Sequence, residues 1–438
     1  MTRVHAARAL LDGREVTDLV LDVDAAGRIA GLVTGCPAAE GDLRLGAVVA
    51  GSGNAHSHAF HRALRGRTHD QGGDFWRWRT VMYGVASRLT PENYEALAEA
   101  VFAEMLVAGW TSVAEFHYVH HRADGTPYDD PNAFGAALAR AATTVGIRLT
   151  LLDTCYLTGG PGRPLLPEQA RFGDGSVSGW LERWSGLAEL ATGTVTVGAA
   201  LHSVRAVPPA DMALVAERLP DGVPLHLHLS EQVAENEQSL AAYGRTPTGV
   251  LADVGLLSPR LAAVHATHLT DKDIALLGGA RANVVFCPTT EADLGDGIGP
   301  ARELVDAGAV LSLGSDQNAV VDPWLEVRAL EAGERLRSQQ RGRFRPEELE
   351  AARVSGGYRA SGLVGGLAVG AMADLVELDT DSARTSGALL AQVSLVATAA
   401  DVKRVVVGGR VVADGSRLAD GRDPARLLAI ALAPLQDS

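Results

Sequence analysis

Residues 51 to 58 read Gly51-Ser-Gly-Asn-Ala-His-Ser-His58, and they follow a run of small and apolar residues at positions 45–50. In an extended chain the side chains at positions i and i+2 point the same way. His56 and His58 can therefore present two imidazoles to one point at the end of a strand, which suits a divalent metal ion, with Zn²⁺ as first choice. A His-x-His pair also occurs by chance in loops, so this interpretation depends on ligands supplied by other strand ends.

The composition of the 438-residue chain, with 47% hydrophobic and 21% charged residues, is typical of a globular protein. A net charge of −14 argues against nucleic acid or an anionic membrane as a partner. The three cysteines are far apart, the N-terminus lacks the apolar run of a signal peptide, and no apolar run is long enough to span a bilayer. We therefore expect a cytoplasmic protein, and we expect it to be a homodimer.

Both ends of the chain are rich in predicted strands. Residues 19–24 and 28–33 near the N-terminus, and residues 374–379 and 402–413 near the C-terminus, carry β-branched and aliphatic residues with glycine-containing turns. Two similar ends that flank a different middle indicate one small domain built from both. We predict a β-sandwich domain from residues 1–48 and 366–438, and a metal-dependent catalytic domain from residues 49–365.

The middle of the chain alternates strands and helices. The clearest helix covers residues 91–108, with Thr90 as N-cap, Pro91 at the first position and Gly109 as the stop. Eight β-then-α units predict a (β/α)8 barrel, and the strand count favours it over a doubly wound open sheet. The predicted strands are residues 48–54, 111–116, 147–153, 194–201, 224–229, 261–266, 284–287 and 310–313.

Polar residues gather at the C-terminal ends of these strands, where a barrel carries its chemistry. Three imidazoles and one carboxylate suit Zn²⁺ with a water at the remaining position, and the ion brings the pKa of that water toward neutrality. The pleat does not choose between His226 and His228, which share a face, but proximity to Glu231 favours His228. The predicted ligands are His56, His58, His228 and Asp316.

Three residues are candidates for moving protons. Glu231 lies three positions after His228 and can act as general acid and base. His265, at the end of the sixth strand, can polarise the substrate, and Asp316 can take a proton from the attacking water. The role of His268 stays open between a support for the site and a structural histidine. A structural role is expected for His69, His117, His120 and His121.

These residues carry a family resemblance. The set His56-x-His58, His228-x-x-Glu231, His265 and Gly314-Ser-Asp316 resembles the aminohydrolase branch of the amidohydrolase superfamily, and residues 370–379 look like its C-terminal signature. Within that branch the segments after the strands are similar to those of the formimidoylglutamate deiminase family. The segments are Gly73-Asp-Phe-Trp-Arg-Trp-Arg79, Glu115-Phe-His-Tyr-Val-His-His121, His202-Ser-Val-Arg205 and Cys287-Pro-Thr-Thr-Glu291.

The resemblance implies hydrolysis of N-formimino-L-glutamate, a small anionic amidine, to N-formyl-L-glutamate and ammonia. It implies one Zn²⁺ per chain on the four predicted ligands, with Glu231, His265 and Asp316 as catalytic residues. Where this family usually has glutamine, the chain has His61, which changes the geometry and charge at that position. The implied substrate-binding residues are His61, Arg79, Tyr118, His202 and Arg205.

Several alternatives remain open at this point. Fe²⁺ and Mn²⁺ also bind sites of nitrogen and oxygen ligands. The substrate could be another acidic amidine such as N-formimino-L-aspartate, or a nucleobase. Related nucleobase and triazine aminohydrolases typically carry Ser-Asn where this chain has Thr290-Glu291, which points away from a nucleobase. A non-catalytic barrel is a further alternative because fold does not fix function, although every ligand position is filled here.

Overall fold

The computed structural model describes residues 2–69 and 75–436. Its strands are, in chain order, β1 (Thr2–Leu11), β2 (Arg14–Val23), β3 (Ile29–Val33), β4 (Leu43–Ala50), β5 (Ser52–Ser57), β6 (Trp110–His117), β7 (Arg148–Cys155), β8 (Val195–Ser203), β9 (Leu225–Leu229), β10 (Leu261–His265), β11 (Asn283–Phe286), β12 (Val310–Leu313), β13 (Leu375–Leu378), β14 (Val402–Val407), β15 (Arg410–Asp414) and β16 (Arg417–Leu418). Its helices are α1 (Phe75–Ser87), α2 (Pro91–Ala108), α3 (Ala133–Val145), α4 (Val177–Gly186), α5 (Pro209–Arg218), α6 (Val233–Tyr243), α7 (Pro247–Asp253), α8 (Asp271–Gly279), α9 (Pro288–Leu294), α10 (Ala301–Ala307), α11 (Pro323–Ser338), α12 (Pro346–Ala351), α13 (Gly357–Ala360) and α14 (Pro424–Leu432).

Strands β5 to β12 are parallel and close into a barrel, with β12 paired to β5, which confirms the predicted fold class. The predicted strands from residues 111–116 onward match β6 to β12 to within two residues at each end. These strands are aliphatic and almost wholly buried, as expected for a parallel sheet covered on both faces. The carboxyl ends of all eight strands therefore meet at one mouth of the barrel.

Helix α2 shows how sequence signals set the boundaries of the outer layer. The hydroxyl of Thr90 accepts from the N–H of Asn93, Pro91 opens the helix, and Gly109 ends it with a φ of 101°. Leu97 and Val101 on its inner face are fully buried in the main core. The predicted helix at residues 91–108 is confirmed. Within the described residues, no helix is both long enough and apolar enough to cross a membrane.

The first predicted strand, residues 48–54, is divided between two sheets. Residues up to Ala50 belong to β4, which pairs with β1 and β13, and the barrel strand β5 begins only at Ser52. Between them, a Cβ built on Gly51 would lie 2.2 Å from Thr111 Oγ1. The prediction of a single strand was therefore wrong, because a glycine allows the chain to pass from one sheet to the other in close contact with Thr111.

The other strands come from both chain ends and form one mixed sheet in the order β16-β15-β14-β13-β4-β1-β2-β3. This confirms that the two ends build a separate β unit beside the barrel. Its core contains aliphatic residues such as Leu19, Leu21 and Val406. The division at residues 48/49 and 365/366 stays a prediction.

A buried polar cluster joins this sheet to the barrel. Asp374, from the C-terminal signature, accepts hydrogen bonds from Arg148 at the start of β7 at 2.7 and 3.1 Å, and from the Tyr358 hydroxyl at 2.6 Å. The N–H of Gly408 donates to the same carboxylate at 2.8 Å. All the charged and phenolic groups of the cluster are buried. The signature motif therefore fastens the end sheet beneath the N-terminal end of the barrel.

Helix α12, a π-helical turn and α13 run against the same end of the barrel. A Cβ on Gly356 would lie 1.9 Å from the carbonyl oxygen of Leu311, and one on Gly357 would lie 1.9 Å from that of Gly53. Such close backbone approach is possible only without side chains at these positions. The segment closes the barrel on the side opposite to the strand ends that carry the histidines.

Candidate active site

Four side chains converge at the C-terminal mouth of the barrel. The Nε2 atom of His228 lies 3.2 Å from that of His56 and 3.3 Å from that of His58. Asp316 Oδ1 lies 3.4 Å from His56 Nε2 and 3.5 Å from His58 Nε2. All four residues are buried. The predicted set His56, His58, His228 and Asp316 is therefore brought to one point, from strands or strand ends that are distant in sequence.

The chemistry of this cluster fits a cation. Nδ1 of His58 lies 2.8 Å from the carbonyl oxygen of Phe116, and Nδ1 of His228 lies 3.0 Å from that of His202. A carbonyl can only accept, so each Nδ1 carries the hydrogen, and burial lowers the pKa of both imidazoles so that they stay neutral. Each Nε2 then presents a lone pair to the other. Two facing lone pairs cannot form a hydrogen bond, whereas a metal ion between them would bind both.

His226 takes a different role from His228 although the two share a face of β9. Its Nε2 donates to the carbonyl oxygen of Ala360 at 2.8 Å, on the α13 side of the barrel. His226 therefore lies one layer deeper in the barrel interior than His228, as expected for residues two positions apart on one face of a strand. The structure places His228 in the cluster and His226 outside it.

The candidate acid–base groups lie beside the cluster. His265 Nε2 is 4.0 Å from Glu231 Oε1 and 3.9 Å from Asp316 Oδ2. Its Nδ1 lies 3.3 Å from Glu291 Oε1, which also accepts from the N–H of Cys287 at 2.9 Å. Burial alone would lower the pKa of His265, but Glu231, Glu291 and Asp316 outweigh it and raise that pKa to about 10. His265 is thus held among three carboxylates as a hydrogen-bond donor.

The predicted substrate-binding residues surround one cavity in front of the cluster. Arg79 comes from α1, and its Nε donates to the Tyr83 hydroxyl at 2.7 Å. His61 Nε2 lies 2.9 Å from the Tyr118 hydroxyl. Arg205 Nε lies 3.8 Å from Oε2 of Glu235, whose side chain is buried. The residues that line the cavity include His61, Arg79, Tyr118, His202 and Arg205, together with His58, His228, Glu231, His265 and Asp316.

Comparison with known proteins agrees with this architecture. The model of the amidohydrolase family matches residues 47–412. The chain belongs to this family. A formimidoylglutamate deiminase from Pseudomonas aeruginosa is 37% identical over 440 residues, which cover 96% of this chain and 97% of that protein. An 8-oxoguanine deaminase from the same organism is 31% identical over 87% of this chain and 85% of its own length.

Solved structures give the same result. A crystal structure of an amidohydrolase from Brucella melitensis superposes with a TM-score of 0.92 at 35% identity, over 99% of this chain and 100% of that one. An adenosine deaminase from Xanthomonas campestris with bound zinc superposes with a TM-score of 0.83 at 24% identity, over 98% and 96% of the two chains, which shows the shared fold. This amidohydrolase is therefore a hydrolase of carbon–nitrogen bonds in a metal-dependent family, as predicted.

Some residues of this amidohydrolase site were not predicted from the sequence. Glu291 was noted only as a departure from related sequences, yet it contacts His265. Tyr83 and Tyr156 line the cavity, and Gln169 contacts both of their hydroxyls. A single tyrosine or glutamine carries no sequence signal for such a position. The strong signals came from histidines at strand ends.

The remaining histidines pair with protein groups away from the cavity. His120 Nε2 lies 2.9 Å from the carbonyl oxygen of Thr154, and His121 Nε2 lies 3.2 Å from Asp174 Oδ1. His69 Nε2 lies 2.8 Å from Asp293 Oδ1. His117 and His120 approach the carboxylate of Asp153, which is already paired with Arg183. His268 is not among the residues that line the cavity.

The first segment of the family resemblance falls partly outside the described residues. Gly73 and Asp74 lie outside them. Trp78 and Arg79 are described, belong to α1 and line the cavity. The indole of Trp78 donates to Gln317 Oε1 at 3.0 Å, next to Asp316. Helix α1 is thus connected directly to the segment after β12.

Proposed function

We propose that this amidohydrolase deiminates N-formimino-L-glutamate by hydrolysis, giving N-formyl-L-glutamate and ammonia. The observation that carries the proposal is the presence of two arginines, Arg79 and Arg205, in the same cavity as the His–Asp cluster. Guanidinium groups suit carboxylates, and an acidic amidine brings two of these to a hydrolytic centre. The 37% identical formimidoylglutamate deiminase, matched over nearly the whole chain, supports the same reaction.

We propose that one Zn²⁺ per chain is held by His56, His58, His228 and Asp316. The facing Nε2 lone pairs of His58 and His228, with His56 Nε2 and Asp316 Oδ1 beside them, support this assignment. When bound, the ion would supply a water that is nucleophilic near neutral pH. Metal analysis of protein purified without added metal would test it. Full occupancy by Fe²⁺ or Mn²⁺ with activity equal to the zinc form would contradict the choice of zinc, and full activity after chelation would contradict a metal site altogether.

The surrounding side chains would move the protons. Asp316, whose Oδ2 lies 3.9 Å from His265 Nε2, would take a proton from the attacking water. Glu231 lines the cavity and would deliver a proton to the departing nitrogen. His265 would donate a hydrogen bond to the tetrahedral species from Nε2. Water thus adds oxygen to the formimino carbon, one carbon–nitrogen bond breaks, and ammonia leaves.

The other face of the cavity would bind the two carboxylates. We assign this role to Arg79 and Arg205, with Tyr118, His202 and His61 as hydrogen-bonding partners. Because a charged hydrogen bond contributes more than a neutral one, Arg205→Met should raise KM by about 10- to 100-fold while the metal content stays unchanged. Exposed Arg417→Met serves as the control. Unchanged kinetics for Arg205→Met would show that Arg205 does not bind the substrate.

The reaction itself is tested by incubating the zinc-loaded protein with N-formimino-L-glutamate and measuring ammonia. We expect ammonia and N-formyl-L-glutamate in equal amounts. Release of formamide instead would show that the other carbon–nitrogen bond is cleaved. 8-Oxoguanine is the informative comparison, because it carries no carboxylate for the two arginines. Faster turnover of 8-oxoguanine would favour a nucleobase aminohydrolase.

A second candidate substrate is N-formimino-L-aspartate, and His61 is the observation that keeps it open. The imidazole is buried, pairs with Tyr118 and packs edge-on against Trp78, with ring centroids 5.1 Å apart. A rigid ring at this position can change the length of side chain that fits. Comparing kcat/KM for the two acids decides between them, and we expect the glutamate derivative to be preferred.

A further inference from the structure

One buried amide, that of Gln169, lies behind the arginine face of the cavity. Gln169 is fully buried in the segment after β7. Its Nε2 donates to the hydroxyl oxygen of Tyr83 at 3.0 Å and to that of Tyr156 at 2.8 Å. Its Oε1 accepts from the backbone N–H of Leu166 at 2.9 Å. A backbone N–H can only donate, so this contact fixes which amide atom is oxygen. Both amide hydrogens therefore point at the two phenols.

Each phenol consequently acts as an acceptor toward Gln169. The Tyr83 oxygen accepts a second hydrogen bond from Arg79 Nε at 2.7 Å, which occupies both of its lone pairs. The hydroxyl hydrogens of Tyr83 and Tyr156 must then be donated elsewhere. Among residues 2–69 and 75–436, neither hydroxyl has an acceptor within hydrogen-bond distance. Both tyrosines line the cavity, so their hydroxyl hydrogens are available to a molecule that binds there.

The surroundings of the two phenols specify the chemistry of that molecule. The guanidinium of Arg79 lies 5.3 Å from the centre of the Tyr83 ring, and the Tyr156 ring packs against His202 with centroids 4.4 Å apart. Because the two N–H bonds of an amide diverge by about 120°, the hydroxyls lie about 5 Å from each other. A carboxylate, which has two acceptor oxygens and a negative charge, matches two converging donors beside an arginine.

We propose that Tyr83 and Tyr156 are substrate-binding residues that donate their hydroxyl hydrogens to one carboxylate of the substrate. Gln169 is a positioning residue, because it forces both phenols to act as donors toward the cavity. This inference rests on the proposed function, which makes the substrate an anionic amidine. A carboxylate at position 169 would reverse the direction of both hydrogen bonds, since it can only accept.

The test uses Tyr83→Phe and Tyr156→Phe, which remove only the hydroxyl, and Gln169→Glu. Each is assayed with N-formimino-L-glutamate and with N-methylformamidine, which has the reacting group but no carboxylate. We expect KM for N-formimino-L-glutamate to rise about tenfold or more, with kcat little changed and kcat/KM for N-methylformamidine unaffected. Tyr243→Phe, on α6 outside the cavity, should leave both substrates unchanged. Equal losses with both substrates would overturn the proposal, because they would indicate a general structural defect.

A binding measurement separates this inference from the proposed reaction. Isothermal titration calorimetry of the zinc-loaded protein with glutarate, a dicarboxylate that cannot react, should show at least tenfold weaker binding for each Tyr→Phe variant. If N-formimino-L-glutamate is not hydrolysed but glutarate binding weakens as expected, the proposed reaction fails and the role of the tyrosines stands. Equal glutarate affinity in wild type and variants, or no glutarate binding to the wild type, would overturn the inference.

Discussion

The residues that surround the His–Asp cluster have unusual backbone conformations. Ser230, His265, Ala266 and Asp316 have φ angles of 50°, 68°, 49° and 41°, in the left-handed region that non-glycine residues rarely adopt. Each such residue costs about 1–3 kcal/mol and persists only where the surrounding structure determines it. In this protein they follow or end β9, β10 and β12, where the candidate catalytic side chains turn into the cavity. The orientation of these side chains is therefore accompanied by an unfavourable backbone conformation.

Replacing Glu231 by Gln should reduce kcat by about 100-fold or more, because an amide cannot hold and deliver the proton that the leaving nitrogen requires. Steady-state kinetics with N-formimino-L-glutamate would measure the loss, and metal analysis should show unchanged zinc content. The matched control is Glu237→Gln on the exposed face of α6, which should retain full activity. Wild-type kcat in Glu231→Gln would assign the proton transfer to another group.

The position of Glu291 was noted in the sequence, but its contact with His265 was not predicted. The sequence marked it as a departure from related chains in the segment that follows β11. Its contact with His265 depends on the distance between the ends of β10 and β11, which no sequence spacing specifies. By contrast, the pairing of His56 with His58 follows from their i, i+2 spacing in one strand. The pairing of His56 with His58 was therefore predictable from spacing, whereas the contact of Glu291 with His265 was not.

At the scale of elements, the connections between strands and helices depend on individual polar and small residues. Gly51 allows the chain to pass from β4 into β5 without a clash. Asp401 joins two segments that precede β14: it accepts from the hydroxyl of Ser382 and from Nε of Arg384 in one, and from the N–H of Thr398 in the other. Both residues act where two elements meet, so both can be tested through stability.

Replacing Gly51 by Ala should lower the free energy of unfolding by about 1–3 kcal/mol, because the added methyl would overlap Thr111. Urea unfolding followed by circular dichroism would measure the change. Gly279→Ala, at the end of α8, adds the same methyl where no atom lies within 4 Å and should not destabilise the protein. Equal stability of the two variants would show that the passage at residue 51 can relax.

The contribution of Asp401 to the stability of the fold should depend on pH. Burial alone would raise its pKa, but the hydrogen bonds from Arg384, Ser382 and Thr398 outweigh burial and lower it to about 2. A carboxyl group whose pKa is lower in the folded than in the unfolded protein stabilises the fold above the unfolded value and loses this contribution as pH falls. The stability difference between wild type and Asp401→Asn should therefore be on the order of 1 kcal/mol at pH 6 and should shrink from about pH 4 toward pH 2.

Urea titrations of both proteins at several pH values would check this. The matched control is Asp414→Asn, on the exposed side of β15, which removes a carboxylate outside this hydrogen-bonded cluster. A difference between wild type and Asp401→Asn that stays constant down to pH 2 would contradict the assigned hydrogen bonds.

At the scale of the whole molecule, the polar cluster at Asp374 joins the end sheet to the barrel. Arg148 and Asp374 are 3% and 2% exposed, so their charges depend on each other rather than on water. Removing one member of a buried ion pair leaves the other uncompensated, which is far more costly than removing both. The cluster therefore links the stability of the two parts.

Asp374→Asn should lower the free energy of unfolding by about 3 kcal/mol, because the guanidinium of Arg148 would stay buried without a counter-charge. The double variant Arg148→Met/Asp374→Leu should lose less than this. Urea unfolding of wild type, single and double variants would measure both values. A double variant that is less stable than Asp374→Asn would show that the hydrogen bonds of the cluster, rather than its charge balance, hold the sheet in place.

The expected homodimer stays a prediction, which analytical ultracentrifugation can test.

The sequence by itself determined the alternation that closes into a barrel, the β-rich chain ends, and the histidines and carboxylates at the strand ends. These follow from local rules: periodicity, capping residues, and the i, i+2 spacing of His56 and His58. Only the tertiary structure decided that His228 rather than His226 joins the cluster, and that the apolar run before His56 divides between two sheets at Gly51. It also decided that Gln169 directs two phenols into the cavity. Each of these depends on which atoms of distant segments come within hydrogen-bond or van der Waals distance, and that distance is set by the packing of the whole chain.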